Sequence, residues 1–289
     1  MDKKYVRLDV FLTNNCLAPS REKAQRDILS GWVLVNGETT RDSSKKIPAD
    51  ALVEVKRPGG LFVSRGGEKL RRGLDAFGID PHGMTAVDLG ASTGGFTDCL
   101  LKAGAKKVYA VDVGYGQLDF SLRKDSRVVV LERTNVKNLL KEHFDDEIDF
   151  IAMDLSFISV VKAIQRVKEL FENAQGIMLI KPQFEALSKE HKKGVVRDEK
   201  THIDILKRTL ENLAKAGTLF HSIAYSPLKG PAGNIEFLLH FSFAHAVETR
   251  HALSLPHTLS LPFTMIESVV REAHERFRKQ RPGANELIT

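Results

Sequence analysis

The stretch Asp88–Thr97, DLGASTGGFT, follows the apolar lead-in MTAV and places three glycines in a short turn. An apolar segment that ends in a glycine-rich turn is typical of ligand-binding strand-to-helix junctions in α/β proteins. Three kinds of site share part of this pattern. Gly90 and Gly95 suit a dinucleotide loop, Ser92 between Gly90 and Gly94 imitates the nucleophile elbow of a hydrolase, and the Asp-x-Gly opening suits a methyl-donor site.

The segments that follow this turn predict the fold class. Apolar segments such as VYAVDVG, DFIAMDLSF and GIMLIKP alternate with amphipathic segments such as FTDCLLKAG, LLKEHF and VVKAIQRVKELF. Strands that alternate with helices form an α/β fold of the Rossmann type, with a doubly wound, mostly parallel sheet. Ligands of such folds bind beyond the carboxyl ends of the strands, which is where the turn falls.

The composition bounds the class of protein. The 289 residues are 42% hydrophobic and 28% charged, as in an ordinary globular chain with one medium domain and a smaller one. Two cysteines, Cys16 and Cys99, make neither a disulfide framework nor a metal cluster, so we expect a cytoplasmic protein without a metal. The N-terminal residues lack a signal-peptide core, and no apolar run reaches about 18 residues, so we expect no membrane partner.

The positive charge is concentrated in the first quarter of the chain. The net charge is +6, and residues 1–72 alone carry 15 Lys and Arg against 9 Asp and Glu, so the remaining residues sum to zero. A basic excess confined to one segment favours a polyanionic partner, with nucleic acid as the first candidate. A solvated basic surface is the alternative.

The N-terminal segment predicts two short helices and a hairpin. Ser20 caps the second helix, and WVLVNGETT with LVEVKRP gives two strands about a glycine-containing turn. The segment PSREKAQRDILSGWVLVNG resembles the alpha-L motif, a small module first seen in a ribosomal small-subunit protein. The resemblance implies a small α+β domain that meets the phosphates of structured RNA. The residues expected to contact RNA are Arg7, Arg21, Lys23, Arg26, Asn36 and Arg65.

Spacing after the turn favours the methyl donor among the three sites. Ser92 stands where a dinucleotide loop has its middle glycine, so close approach to a diphosphate is disfavoured. A hydrolase would leave Thr93 and Gly95 unexplained. Asp112 ends the next apolar segment 22 residues after Gly90, close to the spacing of about 20 expected for a ribose-binding acid. These features predict S-adenosylmethionine as the ligand.

The segment after the fourth strand bears on which atom accepts the methyl group. Asp154-Leu-Ser-Phe157 stands where enzymes acting on exocyclic amines carry Asn/Asp-Pro-Pro-aromatic, and neither cysteine is placed to attack a pyrimidine carbon. An alcohol remains, and it must lose a proton as it attacks. Lys181 ends an apolar segment and can assist, with Asp154 and Glu236 expected on the same rim.

Six segments in order, SRGGEKL, DLGASTGGFTD, VDVGYGQL, MDLSFIS, IKPQFE and GNIEFLL, resemble the TlyA (hemolysin A) family, whose catalytic domain is of the FtsJ type. The resemblance spans about residues 5–243 and implies 2′-O-ribose methylation of ribosomal RNA, with cytidine as the implied target. It implies a catalytic set of Lys69, Asp154, Lys181 and Glu236. The cofactor contacts that it implies are Ser64, Gly66, Gly90, Ser92, Thr93, Gly94, Gly95, Phe96, Asp112, Gly114, Gln117 and Asn135. Asp88 suits either a cofactor contact or a structural carboxylate.

Three parts are expected along the chain: an RNA-binding domain over 1–58, a methyltransferase domain over 59–245, and a connector with a helix over 246–289. The final helix carries Phe263, Ile266, Val269 and Val270 on one face, which predicts docking on its own domain or on the partner of a homodimer. Two other functions stay open. One is a ribosome assembly factor that binds S-adenosylmethionine without methylating RNA, and the other is a membrane-active hemolysin.

Overall fold

The structure is a computed structural model that describes residues 5–18, 20–55, 61–230, 232–243 and 262–279. The KRPGG segment at 56–60 and the connector expected at 246–260 lie outside the described residues. What is described comprises a small N-terminal unit, a large sheet covered by helices on both faces, and a C-terminal helix.

The N-terminal unit contains two helices and two small sheets. In one sheet β1 pairs with β4, and in the other β2 lies between β3 and β5. Both predicted helices are present, and the segments predicted as strands contain β2, β3 and β5. The strands β1 and β4 were not predicted, because strands of three residues carry no measurable periodicity. The elements are β1 Tyr5–Arg7, α1 Leu8–Asn14, α2 Arg21–Leu29, β2 Val33–Val35, β3 Glu38–Thr39, β4 Lys46–Pro48 and β5 Val53–Val55.

Asn36 and Gly37 form the two-residue turn between β2 and β3. Their φ angles are +51° and +82°, so both lie in the left-handed region, as a type I′ hairpin turn requires. The side-chain oxygen of Asn36 also accepts a hydrogen bond of 3.1 Å from the backbone N–H of Leu52. Asn36 therefore has a structural task, and its contact with RNA stays a prediction.

Asp9 ties the two N-terminal helices together from a fully buried position. Its carboxylate accepts hydrogen bonds from Arg7 and Arg21, each 3.0 Å away, and from Gln25 at 2.9 Å. The hydrogen bond from Arg7 outweighs the effect of burial and holds the pKa of Asp9 well below its usual range. About half of each arginine side chain stays exposed, so both can still meet a ligand.

Asp9→Asn is expected to lower the free energy of unfolding by about 2 kcal/mol at pH 7, because two arginines lose a charged acceptor. A carboxyl group whose pKa is lowered in the native state stabilises the fold at pH values above its unfolded-state pKa. This stabilisation is lost as the pH falls below that value. The difference between wild type and variant should therefore shrink below about pH 4. Urea unfolding at pH 7 and below about pH 4 measures this difference in stability, with Glu38→Gln, at an exposed position, as the control. An equal loss at both pH values would contradict the role of the charge.

The large sheet has the order β11-β12-β10-β9-β6-β7-β8. Its members from β10 to β8 are parallel, and β12 runs antiparallel to both of its neighbours. This arrangement confirms the predicted fold class. The strands are β6 Thr85–Leu89, β7 Lys107–Val111, β8 Val128–Leu131, β9 Phe150–Met153, β10 Gln175–Ile180, β11 Thr218–Tyr225 and β12 Phe237–Phe243.

Helices cover both faces of this sheet, which is why every residue of β6 is buried. The prediction of a helix at LLKEHF was wrong: a short 3-10 turn at 141–143 stands there, and another precedes it at 136–138. Six residues are too few to make a stable helix without strong packing. The helices are α3 Gly66–Phe77, α4 Gly95–Lys102, α5 Phe120–Arg123, α6 Val160–Leu170, α7 Pro182–Glu185, α8 Glu199–Lys215 and α9 Phe263–Lys279.

The C-terminal helix α9 packs on its own chain, against α8 and β11. Ile266, Val270 and Phe277 are buried in this contact, whereas Phe263 is 55% exposed. The predicted apolar face is therefore buried at Ile266 and Val270 but not at Phe263. Among the helices that the structure describes, none is long and apolar enough to cross a bilayer.

Strand order reverses between β6 and β9. The chain leaves β6 toward β7 and β8 on one side and then returns to β9 on the other. The loops after β6 and β9 diverge at such a point and leave a crevice at the carboxyl edge of the sheet. The glycine-rich turn after β6 and Asp154 after β9 both lie there.

Candidate active site

A cavity of about 930 Å³ lies at this carboxyl edge. All four expected catalytic residues line it, and so do most of the expected cofactor contacts. The expected cofactor contacts outside its lining are Asp88, Gly94 and Gly114. The expected cofactor contacts in its lining are Ser64, Gly66, Gly90, Ser92, Thr93, Gly95, Phe96, Asp112, Gln117 and Asn135. The six residues expected to contact RNA lie elsewhere.

Glycines are required in the turn because backbone segments approach one another closely. Gly90 has φ +93°, and a Cβ there would lie 2.5 Å from the carbonyl oxygen of Asp154. The N-terminal ends of α3 and α4 pack closely at Gly95, where an added Cβ would lie 2.3 Å from Oγ of Ser64. No side chain can be added at either position without moving a wall of the cavity.

Asp88 lies behind the turn and is fully buried. It accepts hydrogen bonds from the backbone N–H of Thr97 at 2.8 Å and from its Oγ1 at 2.7 Å. Burial raises the pKa of Asp88 to about 7, with Thr97 opposing the shift. The carboxyl group thus fixes the first turn of α4. Of the two roles that the sequence suggested for Asp88, this is the structural one.

Asp112 ends β7 and is held by two backbone donors. The N–H of Ser92 lies 2.8 Å from one carboxylate oxygen, and the N–H of Gly114 lies 2.7 Å from the other. Ser92, at φ +48°, also donates from Oγ to Gln117 at 3.4 Å. A carboxylate has about four acceptor positions, so Asp112 can accept further hydrogen bonds on the cavity side.

Lys181 and Asp154 form an ion pair on the opposite wall, with Nζ and Oδ1 2.6 Å apart. Each follows directly after a strand, Asp154 after β9 and Lys181 after β10, and these strands are parallel neighbours. The ammonium group of Lys181 also donates to Oγ of Ser156 at 2.7 Å. The lysine head group is therefore held in one place at the rim.

Lys69 and Glu236 form a second ion pair, 2.5 Å long and almost fully buried. Lys69 comes from α3, whereas Glu236 directly precedes β12. Because β12 runs antiparallel to β10, its first residue lies beside the last residue of β10, and Glu236 reaches the same rim. A Cβ on Gly230 would lie 2.4 Å from Glu236, so this glycine makes room for the carboxylate.

The two pairs are electrostatically coupled. Burial raises the pKa of Asp154, but the ammonium groups of Lys181 and Lys69 outweigh it, and the net pKa lies below the ordinary value. Asp154 is therefore charged at neutral pH. Two cations and two anions compensate one another in one small volume, which allows all four to be largely withdrawn from water.

Several cavity residues escaped the sequence analysis. Phe157 has φ +64° and is 92% exposed, with its ring 5.4 Å from that of Phe184. Its place in the segment MDLSFIS was visible, but its exposure was not. Arg41 reaches the cavity from the N-terminal unit, together with Leu29 and Ser30. Only the packing of the two units could reveal this contribution.

The residues expected to contact RNA have varied surroundings. Lys23 lies 3.4 Å from Asp27 and over the ring of Trp32. Nε of Arg26 is buried without a hydrogen-bond partner. Arg65 stands at the start of α3, close to the cavity but outside its lining. Their contacts with RNA stay predictions.

A doubly wound sheet, a glycine-rich turn, a strand-end carboxylate and two Lys–carboxylate pairs at one rim define a methyltransferase of the Rossmann type. The chain belongs to the FtsJ-like methyltransferase family, whose model matches residues 62–243. A second model, the S4 domain, matches residues 6–53.

Similar proteins cover most of the chain. The candidate rRNA methyltransferase YqxC of Bacillus subtilis is 44% identical over 83% of this chain and 86% of its own length. The 16S/23S rRNA (cytidine-2′-O)-methyltransferase TlyA of Mycobacterium tuberculosis is 39% identical over 81% of this chain and 88% of its own. A solved structure of a candidate hemolysin from Streptococcus thermophilus has a TM-score of 0.73 and 34% identity, covering 96% of this chain and 98% of its own.

Gly90→Ala is expected to weaken binding of S-adenosylmethionine at least tenfold, because the new methyl group collides with the carbonyl of Asp154 and displaces a cavity wall. Gly78→Ala is the matched control, since Gly78 also has a positive φ but nothing lies within 4 Å of an added Cβ. Calorimetric titration measures both affinities. Equal affinities for the two variants would show that the close approach does not shape the site.

Asp88→Asn is expected to change how stability depends on pH. A carboxyl group whose native pKa is raised to about 7 stabilises the fold at low pH. This contribution is lost as the pH rises from the unfolded-state pKa to the native pKa. Wild type should therefore lose stability relative to the variant between about pH 4 and 7. Thermal unfolding across this range measures the difference, and a constant difference would mean that Asp88 does not titrate there.

Proposed function

We propose that this protein transfers the methyl group of S-adenosylmethionine to the 2′-hydroxyl of a ribose in ribosomal RNA, with cytidine as the target nucleoside. The observation that carries the proposal is the cluster of Lys69, Asp154, Lys181 and Glu236 on the wall of the cavity beside the glycine-rich turn. The name of the relative from Mycobacterium tuberculosis supports the choice of ribose and cytidine. A ribosomal substrate further implies a cytoplasmic enzyme.

The residues around the turn fit S-adenosylmethionine. The bare backbone at Gly90 and Gly95 leaves room for a ligand to lie close to the main chain. Asp112 would accept hydrogen bonds from the two ribose hydroxyls of the cofactor, and Asn135 lies in the same lining. When bound, S-adenosylmethionine supplies a methyl group activated by the positive sulfonium and leaves as a neutral thioether.

Lys181 would take the proton of the acceptor hydroxyl. Its Nζ is fixed by Asp154 and Ser156. Once its ammonium group has released one proton to water, the neutral amine offers a lone pair at that position. The hydroxyl oxygen gains the methyl group as its proton passes to Lys181. Lys69, held by Glu236, contributes a fixed positive charge near Asp154 and so helps to keep that carboxylate ionised while the proton moves.

The RNA would be held from two sides. The S4 match and the basic N-terminal unit support docking on structured RNA through phosphates. Phe157 offers an exposed ring at the cavity mouth, on which an unstacked base can lie. Backbone docking at one unit and base stacking at the other would together present a ribose to Lys181.

Lys181→Ala is expected to lower methyl transfer roughly a hundredfold or more, because the proton acceptor is lost. The measurement is transfer of labelled methyl from S-adenosylmethionine to ribosomal subunits that lack the modification, followed by digestion and identification of the labelled nucleoside. Lys141→Ala, which removes an exposed lysine outside the cavity, is the control and should retain activity.

The outcomes separate the candidate functions. Label in a 2′-O-methylated cytidine that depends on Lys181 supports the proposal. Label on a base would overturn the choice of acceptor atom. Intact cofactor binding with no label on either subunit or on free ribosomal RNA would instead favour an assembly factor that does not methylate.

A further inference from the structure

Arg41 is the one charged side chain that the described part of the N-terminal unit contributes to the lining of the cavity. Its guanidinium lies over the backbone of Gly31, where a Cβ would be 3.3 Å from both Nε and a terminal nitrogen. Gly31 follows α2 with φ +77°. The absence of a side chain at Gly31, two residues after α2, thus leaves room for Arg41 to reach the cavity.

The acidic groups near Arg41 are already neutralised by other residues. Asp154 is paired with Lys181, and Glu236 is paired with Lys69. Both carboxylates are close enough to raise the pKa of Arg41, although burial and neighbouring Arg65 lower it further than they raise it. Two ion pairs thus account for four charges. Arg41 in the lining and Arg65, which stands between the lining residues Ser64 and Gly66, remain as excess positive charge beside the cavity.

Neither arginine has a partner among the residues that the structure describes. Among residues 5–18, 20–55, 61–230, 232–243 and 262–279, no carboxylate lies within ion-pair distance of Arg41 or Arg65, and neither guanidinium donates a hydrogen bond. A guanidinium carries five N–H donors, and leaving them unmatched in a half-buried place is unfavourable. The pair is complementary to an anion with several acceptor oxygens, such as a phosphodiester.

We propose that Arg41 and Arg65, one from each unit, bind a backbone phosphate of the RNA adjacent to the acceptor ribose. The inference rests on the proposed function for the identity of the RNA. The N-terminal unit then positions the substrate at the catalytic cavity in addition to docking it elsewhere. Neither arginine touches the reacting atoms, so both are positioning residues.

The test compares wild type with Arg41→Ala, Arg41→Lys, Arg65→Ala and the double alanine variant. Lys215→Ala removes an exposed cation outside the cavity and is the control. Affinity for a short oligocytidylate is measured by fluorescence anisotropy over a series of KCl concentrations, and kcat/KM for ribosomal RNA is measured in parallel. The oligonucleotide titration does not depend on methyl transfer, so it can be interpreted even if the RNA is not methylated.

Arg41→Ala is expected to lower kcat/KM roughly tenfold to a hundredfold, as for loss of a hydrogen bond to a charged group. It should also reduce the slope of log affinity against log KCl by about one, because one phosphate contact is lost. Arg41→Lys should restore the slope and part of the rate. The double variant should lose less than the product of the single losses, because both arginines hold one phosphate.

An unchanged salt slope in Arg41→Ala would overturn the proposal. An unchanged slope with a shifted pH dependence of kcat would instead assign Arg41 to the ionisation of Asp154 and Glu236. If wild type methylates no RNA, the proposed function fails, whereas a reduced slope in Arg41→Ala and Arg65→Ala would still support the phosphate site.

Discussion

The contact on which the site depends is the approach of the backbone at Gly90 to the carbonyl oxygen of Asp154. It joins the ends of β6 and β9 at the point where the strand order reverses. Gly90 carries the turn that shapes the cofactor side, and Asp154 carries the carboxylate that holds Lys181. The spacing between the proposed cofactor site and Lys181, the proposed proton acceptor, is therefore set by main-chain packing between neighbouring strands, which is more rigid than a placement made by loops alone.

Charge compensation is the second constraint. A buried lysine without a partner would be strongly destabilising, and the fold avoids this by bringing each lysine a carboxylate from a different strand end. The antiparallel strand β12 is essential here, because only its reversed direction places Glu236 at the edge where the parallel strands end. An otherwise parallel sheet thus recruits an acid from a segment far along the chain.

The sequence was informative wherever a local pattern determines structure. Alternating apolar and amphipathic segments predicted the sheet, and strand ends predicted that Asp154, Lys181 and Glu236 share a rim. Short strands such as β1 and β4, and the 3-10 turns at 136–138 and 141–143, were missed because they leave no periodic signal. Arg41 and the exposure of Phe157 depend on tertiary packing, which no spacing rule encodes.

The buried carboxylate of Asp9 has a consequence for recognition as well as for packing. Arg7 and Arg21 are long side chains that would sample many rotamers on an open surface, but Asp9 holds both in one geometry. A ligand that meets them does not have to arrest that motion, so less conformational entropy is lost on binding. The N-terminal unit therefore presents a preorganised pair of cations. Such a pair suits a partner of fixed conformation and is poorly suited to a partner whose conformation varies.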